Sequence, residues 1–218
     1  MTGNTQAVPT YAIVARALII LSIAVGVLHS TRNLPLVLPG QWNSWILANV
    51  ILLLPVTLLC GHVTLSDPPQ EFGWRRGEWK FGLRWSLGLF GVMLPVLVMA
   101  SRLEAVAAFY RLQYLPPVNT AQDALALAAT TTAYMLAWEW FFRGFLLFGL
   151  KPVFGVGSVV FQAAAFMLMH VGKPTLEVGG SLIAGLALGG VCWRTGAWWP
   201  GFITHALCHV TWNWLVTR

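Results

Sequence analysis

Seven apolar stretches, each long enough or nearly long enough to cross a bilayer, dominate this chain: residues 11–29, 44–60, 81–100, 121–150, 153–171, 179–193 and 197–216. A hydrocarbon core of ~30 Å takes about 20 apolar helical residues, and within it every backbone N–H and C=O must find its partner inside the protein. Few folds satisfy that condition. The expected class is all-α, a polytopic membrane bundle of about seven transmembrane helices. The fifth segment is broken by glycines and the sixth is short, so either is expected to tilt or to be partly re-entrant.

The composition agrees, with 57% hydrophobic residues, 9% charged residues and 12 tryptophans, more apolar surface than a soluble domain can hide. The lipid bilayer is therefore the first expected partner. The opening segment is too long and too weakly basic at its start for a cleavable signal peptide, and it reads as a retained first helix. A net charge of +6 does not point to nucleic acid, because the 13 Lys and Arg residues are scattered and form no run of five. They fit topology better. Arg75, Arg76, Lys80 and Arg84 cluster around the longest polar connection, which the positive-inside rule assigns to the cytoplasm, with the N-terminus inside and, for seven spans, the C-terminus outside. Cys60, Cys192 and Cys208 lie in or beside apolar segments without CxxC spacing and read as small buried hydrophobes.

Against this background Glu139 stands out, in Trp138-Glu139-Trp140-Phe141-Phe142-Arg143-Gly144. The fourth segment opens on Thr120-Ala121-Gln122-Asp123, a capping-box pattern, and Gly149 and Pro152 mark its expected end. That places Glu139 near mid-membrane, where an ionisable group costs at least ~2.5–3.5 kcal/mol on insertion scales and signals function by default. Arg143, four residues on, shares its face and can neutralise it. The pair alone is equally compatible with a structural lock between helices.

Histidines add to the case. His29 and His62 sit at span ends and read as interfacial, whereas His170 closes Phe166-Met167-Leu168-Met169-His170 and His205, His209 and Asn213 recur every four residues in the last span. That spacing makes one polar stripe on an apolar helix. A carboxylate, histidines and an amide together can activate water and hold an oxyanion, which suits hydrolysis of a peptide bond in a membrane-associated protein or peptide. A zinc site on His170, His205 and His209 is the alternative, weakened because His205-Ala206-Leu207-Cys208-His209 lacks the Glu of HExxH. A transporter using the stripe as an ion path fits the composition but lacks inverted-repeat signals.

Glu139-x-x-x-Arg143-Gly144, Phe166-x-x-x-His170, the run Ala184 to Gly189, Thr195-Gly196 and His205 resemble, in order and spacing, the CPBP family of CAAX proteases and bacteriocin-processing proteins, also called Abi. The resemblance implies an intramembrane protease of glutamic type without a cofactor, in a bacterial inner membrane. It divides a single integral-membrane domain, 1–218, into N-terminal helices at 1–118 that vary across the family and a catalytic helical core at 119–218. By position His170 would help to activate water and His205 would stabilise the oxyanion, with His209 where Asn or Asp is usual. The family motif reads EExxxR, and here Trp138 takes the place of its first Glu. Three readings follow: Glu139 takes over as base with His170, with Arg143 and Asn213 in support; Glu177 swings in; or the protein is a non-catalytic relative serving in immunity or partner binding. Glu139 is preferred over Glu177, which reads as a helix-start acid paired with Lys173. Relatives cut prenylated C-termini, bacteriocin leaders or sorting helices, and nothing in the sequence chooses among these substrates.

Overall fold

A computed structural model describes residues 10–33, 41–113 and 115–218, and it is helical throughout, with no strand among them. The order is α1 (Thr10–Asn33), α2 (Gln41–Ile51), a π-helical turn (Leu52–Val56), α3 (Thr57–Leu65), α4 (Trp79–Ser101), α5 (Glu104–Gln113), α6 (Ala121–Glu139), a second π-helical turn (Trp140–Leu146), α7 (Leu147–Phe154), α8 (Gly157–Leu168), α9 (Thr175–Thr195) and α10 (Trp199–Val216). Because each π turn joins the helices on either side, seven rods occupy the seven apolar segments. By length and composition four stretches are fit to cross a membrane: Thr10–Arg32, Ser44–Leu65, Trp79–Ser101 and Thr175–Thr195. Their outward side chains are apolar, with Val92 69%, Met99 72% and Ile183 71% exposed, as expected of groups facing lipid.

Several boundaries differ from expectation for clear reasons. The fourth rod does not stop at Gly149 and Pro152 but runs to Phe154, and Gly155 (φ +53°) ends it. Gly149 serves packing instead, since a Cβ there would lie 2.8 Å from Ile20 Cδ1 of α1. The fifth rod, α8, has 12 residues, roughly 18 Å, too short to cross a ~30 Å core alone. The sixth is not short: Pro174 precedes the first turn and α9 runs 21 residues. Helix α5 was not anticipated. Ala107 and Tyr110 recur at helical spacing and are buried against Trp212 and Val216 of α10.

The capping box forms as its pattern implies. Asp123 N–H donates to Thr120 Oγ1 at 3.1 Å, and Thr120 N–H donates to Asp123 Oδ2 at 2.9 Å. The rod it starts packs α6 against α2 and α10, and its far end carries the core of the molecule, an aromatic block of Trp138, Trp140, Phe141, Phe142 and Phe145. Pro55 sits inside the first π turn, beside a structure that already departs from i→i−4 bonding.

The 66–78 connection folds onto the α9–α10 turn. Glu78 N–H donates to Thr195 O at 3.1 Å, Trp199 Nε1–H donates to Arg76 O at 2.9 Å, and Arg194 pairs with Glu78. At the same end Arg16 bonds Gly149 O at 2.9 Å and pairs with Asp67. Gly77 adopts φ +58°, and a Cβ there would lie 2.2 Å from the Thr195 carbonyl oxygen. A left-handed non-glycine costs ~1–2 kcal/mol before any clash. Gly77→Ala should therefore lower the thermal unfolding midpoint, by an amount equivalent to at least ~1–2 kcal/mol, whereas an unchanged midpoint would mean that the loop does not dock there.

Candidate functional site

Trp138 and Glu139 end α6 immediately before the second π turn, a distortion that recurs at functional sites, and Arg143 lies within that turn. Adjacent residues on a helix point ~100° apart, and here they serve two different neighbourhoods. Glu139 turns towards α10. Its Oε1 accepts from Arg143 Nη1 at 2.8 Å and from His205 Nδ1 at 2.6 Å, and both Glu139 and Arg143 are 0% exposed. Trp138 turns towards His170, ring centroids 6.4 Å apart and planes at 84°.

Phe166 is the hub between these neighbourhoods. The Arg143 guanidinium carbon lies 4.3 Å above its ring, the His170 ring is 4.6 Å away and the His205 ring 5.6 Å. An arginine on an aromatic face keeps its charge balanced where no water competes. The Phe-x-x-x-His spacing also fixes the tautomer of His170. Its Nδ1–H donates to Phe166 O at 2.8 Å, so Nε2 carries the free lone pair. His205 is set in the same sense, because Nδ1–H faces a carboxylate.

His170, His205, His209 and Asn213 all open onto one cavity of about 300 Å³, with Trp138 on its wall. The His205 and His209 rings are 4.8 Å apart, and Asn213 Nδ2–H donates to Thr131 Oγ1 at 2.8 Å. Of the residues singled out from sequence, the structure thus joins Glu139, Arg143 and His205 directly and gathers the remaining histidines and Asn213 around the cavity. Glu139 bonds His205 rather than His170 and stands behind the cavity wall. Glu177 accepts from Lys173 Nζ at 2.8 Å and from the Tyr110 hydroxyl, held at the start of α9. Among the described residues no group of three or more His, Cys, Asp or Glu side chains is arranged to hold a metal ion.

Sequence inspection did not find part of the wall. Arg32 at the end of α1, Asn49 of α2, Tyr110 of α5 and Lys173 beside His170 also line the cavity. Arg32, Asn49 and Tyr110 come from helices far apart in the chain, with no local spacing to link them, and Lys173 lies in the connection between α8 and α9.

Residues 120–214 match the family model described as Rce1-like, type II CAAX prenyl endopeptidase Rce1-like. No curated protein and no solved structure matches the chain. The matched residues hold Trp138, Glu139, Arg143, His170, His205, His209 and Asn213, and with the apolar helices they make this an integral membrane protein.

α10 reaches Glu139 at Gly201, where a Cβ would lie 2.4 Å from Glu139 Oε2 and 3.3 Å from Cys192 Sγ. Gly190 of α9 has open space around its Cβ position. Gly201→Ala is expected to destabilise by ~1–3 kcal/mol through overpacking, and Gly190→Ala to be neutral or stabilising by up to ~1 kcal/mol. Denaturant titration of both variants checks the contrast, and equal effects would rule out the close approach.

Proposed function

We propose that this chain, whose residues 120–214 match the Rce1-like CAAX prenyl endopeptidase model, hydrolyses a peptide bond of a membrane-associated protein or peptide in the cavity at His205. The observation that carries this reading is the 2.6 Å bond from His205 Nδ1–H to Glu139 Oε1. A buried carboxylate on one imidazole nitrogen orients the ring and stabilises its protonated form, leaving the other nitrogen to act as a base.

In this mechanism His205 Nε2 takes a proton from water as the water oxygen attacks the carbonyl carbon. His170 Nε2 accepts the water's second hydrogen and holds it in line. The developing oxyanion takes hydrogen bonds from His209 and from the Asn213 N–H not given to Thr131. His205 then returns its proton to the departing amine as the C–N bond breaks, leaving a carboxylic acid and an amine. Glu139 and Arg143 are positioning residues. This division differs from that expected from sequence, where Glu139 and His170 share the water and His205 holds the oxyanion, because Glu139 reaches only His205. No step passes through a metal. The same reading puts the protein in the bacterial cytoplasmic membrane with the N-terminus inside, supported by the exposed Arg75, Arg76, Lys80 and Arg84 at one end of the rods, and treats residues 119–218 as the catalytic core.

One observation favours a second reading, a non-catalytic relative. The indole of Trp138 fills the position facing His170 where the family motif has a carboxylate.

Proteomic comparison of membrane-protein termini with and without the protein identifies substrates, and purified variants separate the two readings. His205→Ala is expected to lower kcat by ~10²–10⁴-fold. Glu139→Gln should lower kcat with KM little changed, the mark of an interaction made in the transition state. Full activity of either variant overturns the mechanism. An inert natural protein in which Trp138→Glu creates cleavage establishes the second reading.

A further inference from the structure

The cavity has an unbalanced charge. All seven side-chain carboxylates of the chain lie among the described residues, and each is already engaged. Asp67 pairs with Arg16, Glu71 with Arg75, Glu78 with Arg194, Glu104 with Arg111, Glu139 with Arg143 and Glu177 with Lys173, while Asp123 caps α6. None of them lines the cavity, whereas two cations, Arg32 and Lys173, do. Lys173 is offset by Glu177. Arg32 is exposed at the end of α1, and none of the seven side-chain carboxylates pairs with it.

A concave site with one sign of charge and low-dielectric walls concentrates ligands of the other sign. Guanidinium in particular offers a planar fork that matches a carboxylate. We infer that Arg32 is a substrate-recognition residue that takes a carboxylate of the peptide occupying the cavity, either the peptide's own C-terminus or an Asp or Glu side chain. Asn49 lines the same cavity, with Nδ2–H donated to Trp45 O at 2.8 Å and Oδ1 available to receive a peptide N–H. The recognition wall comes from α1 and α2, outside the family-matched residues 120–214, and the histidines come from within them. The inference rests on the cavity being a peptide site. Positioning against the macrodipole at the end of α1 accounts for a cation there but not for its place on the cavity wall.

The test uses dansyl-labelled apolar tetrapeptides made in pairs, free acid against C-terminal amide and internal Glu against Gln. They are titrated onto the full chain in zwitterionic and in anionic nanodiscs, with binding read by fluorescence and cleavage by mass spectrometry. The expected result is about tenfold tighter binding of one carboxylate form over its neutral twin, and the pair that shows it identifies the source. Arg32→Ala removes the difference without weakening the neutral peptide, Arg32→Lys keeps part of it, and Arg32→Glu transfers the preference to a Lys-containing peptide. Arg84→Ala, on an exposed cation outside the cavity, changes nothing. Absence of binding by every peptide, no charge preference, or a preference that survives Arg32→Ala overturns the inference. So does an Arg32→Ala effect that is equal for acid and amide and appears only in anionic nanodiscs, which would make Arg32 a lipid-headgroup anchor. Charge-selective binding without cleavage sinks the endopeptidase reading alone, and cleavage without charge selectivity sinks only this one.

Discussion

The interior of this protein is organised around one carboxylate oxygen, Glu139 Oε1, which accepts from Arg143 at 2.8 Å and from His205 at 2.6 Å without exposure to solvent. Taking such a pair out of water costs several kcal/mol per ion, and only close geometry with further hydrogen bonds recovers it. The surrounding structure meets that requirement in part, since His205 adds a hydrogen bond to Glu139 Oε1 while Glu139 Oε2 and Arg143 Nε and Nη2 have no hydrogen-bond partner among the described residues. Arg143 lies on the Phe166 ring, Gly201 lets α10 come close to Glu139, and the π turn after Glu139 re-aims the residues that follow. Removing one member leaves a buried charge without its counterpart, a loss of about 3–5 kcal/mol in comparable settings.

This arrangement sends two neighbouring positions to different surroundings. Glu139 anchors α6 to α10, while Trp138 covers His170 on the cavity side. The cavity lining includes His170 and His205, each with Nδ1–H engaged, His209, an amide tied to Thr131, and cationic and polar groups from the N-terminal helices. Residues from both halves of the chain therefore line a single space. The opposite end is built for rigidity, with the 66–78 connection bonded to Thr195 and Trp199 and Arg16 tied to Asp67 and Gly149.

Much of the fold was legible in sequence because the bilayer leaves a chain little freedom. Apolar runs of spanning length can satisfy their backbones only as helices, and the Thr120–Asp123 box starts α6 as its pattern implies. The boundaries failed where packing overrides local preference. Gly149 is small for Ile20 and not for a helix end, and α5 is a helix because Ala107 and Tyr110 find Trp212 and Val216. Glu139, Arg143 and the downstream histidines were also legible, since charged and histidine side chains in apolar helices are costly to retain without a use, whereas Arg32, Asn49 and Tyr110 of the cavity wall were not.

The sequence by itself determined a membrane bundle, the i,i+4 pairing of Glu139 with Arg143 and the His205–His209–Asn213 stripe, because those depend on helical periodicity alone. Only the tertiary structure decided that Glu139 holds His205 and not His170, that Glu177 also takes the Tyr110 hydroxyl, and that Arg32 shares the cavity with the histidines. These relations join helices whose relative rotation is set by side-chain packing, and a one-residue step on a helix turns a side chain by ~100°, enough to exchange one partner for another.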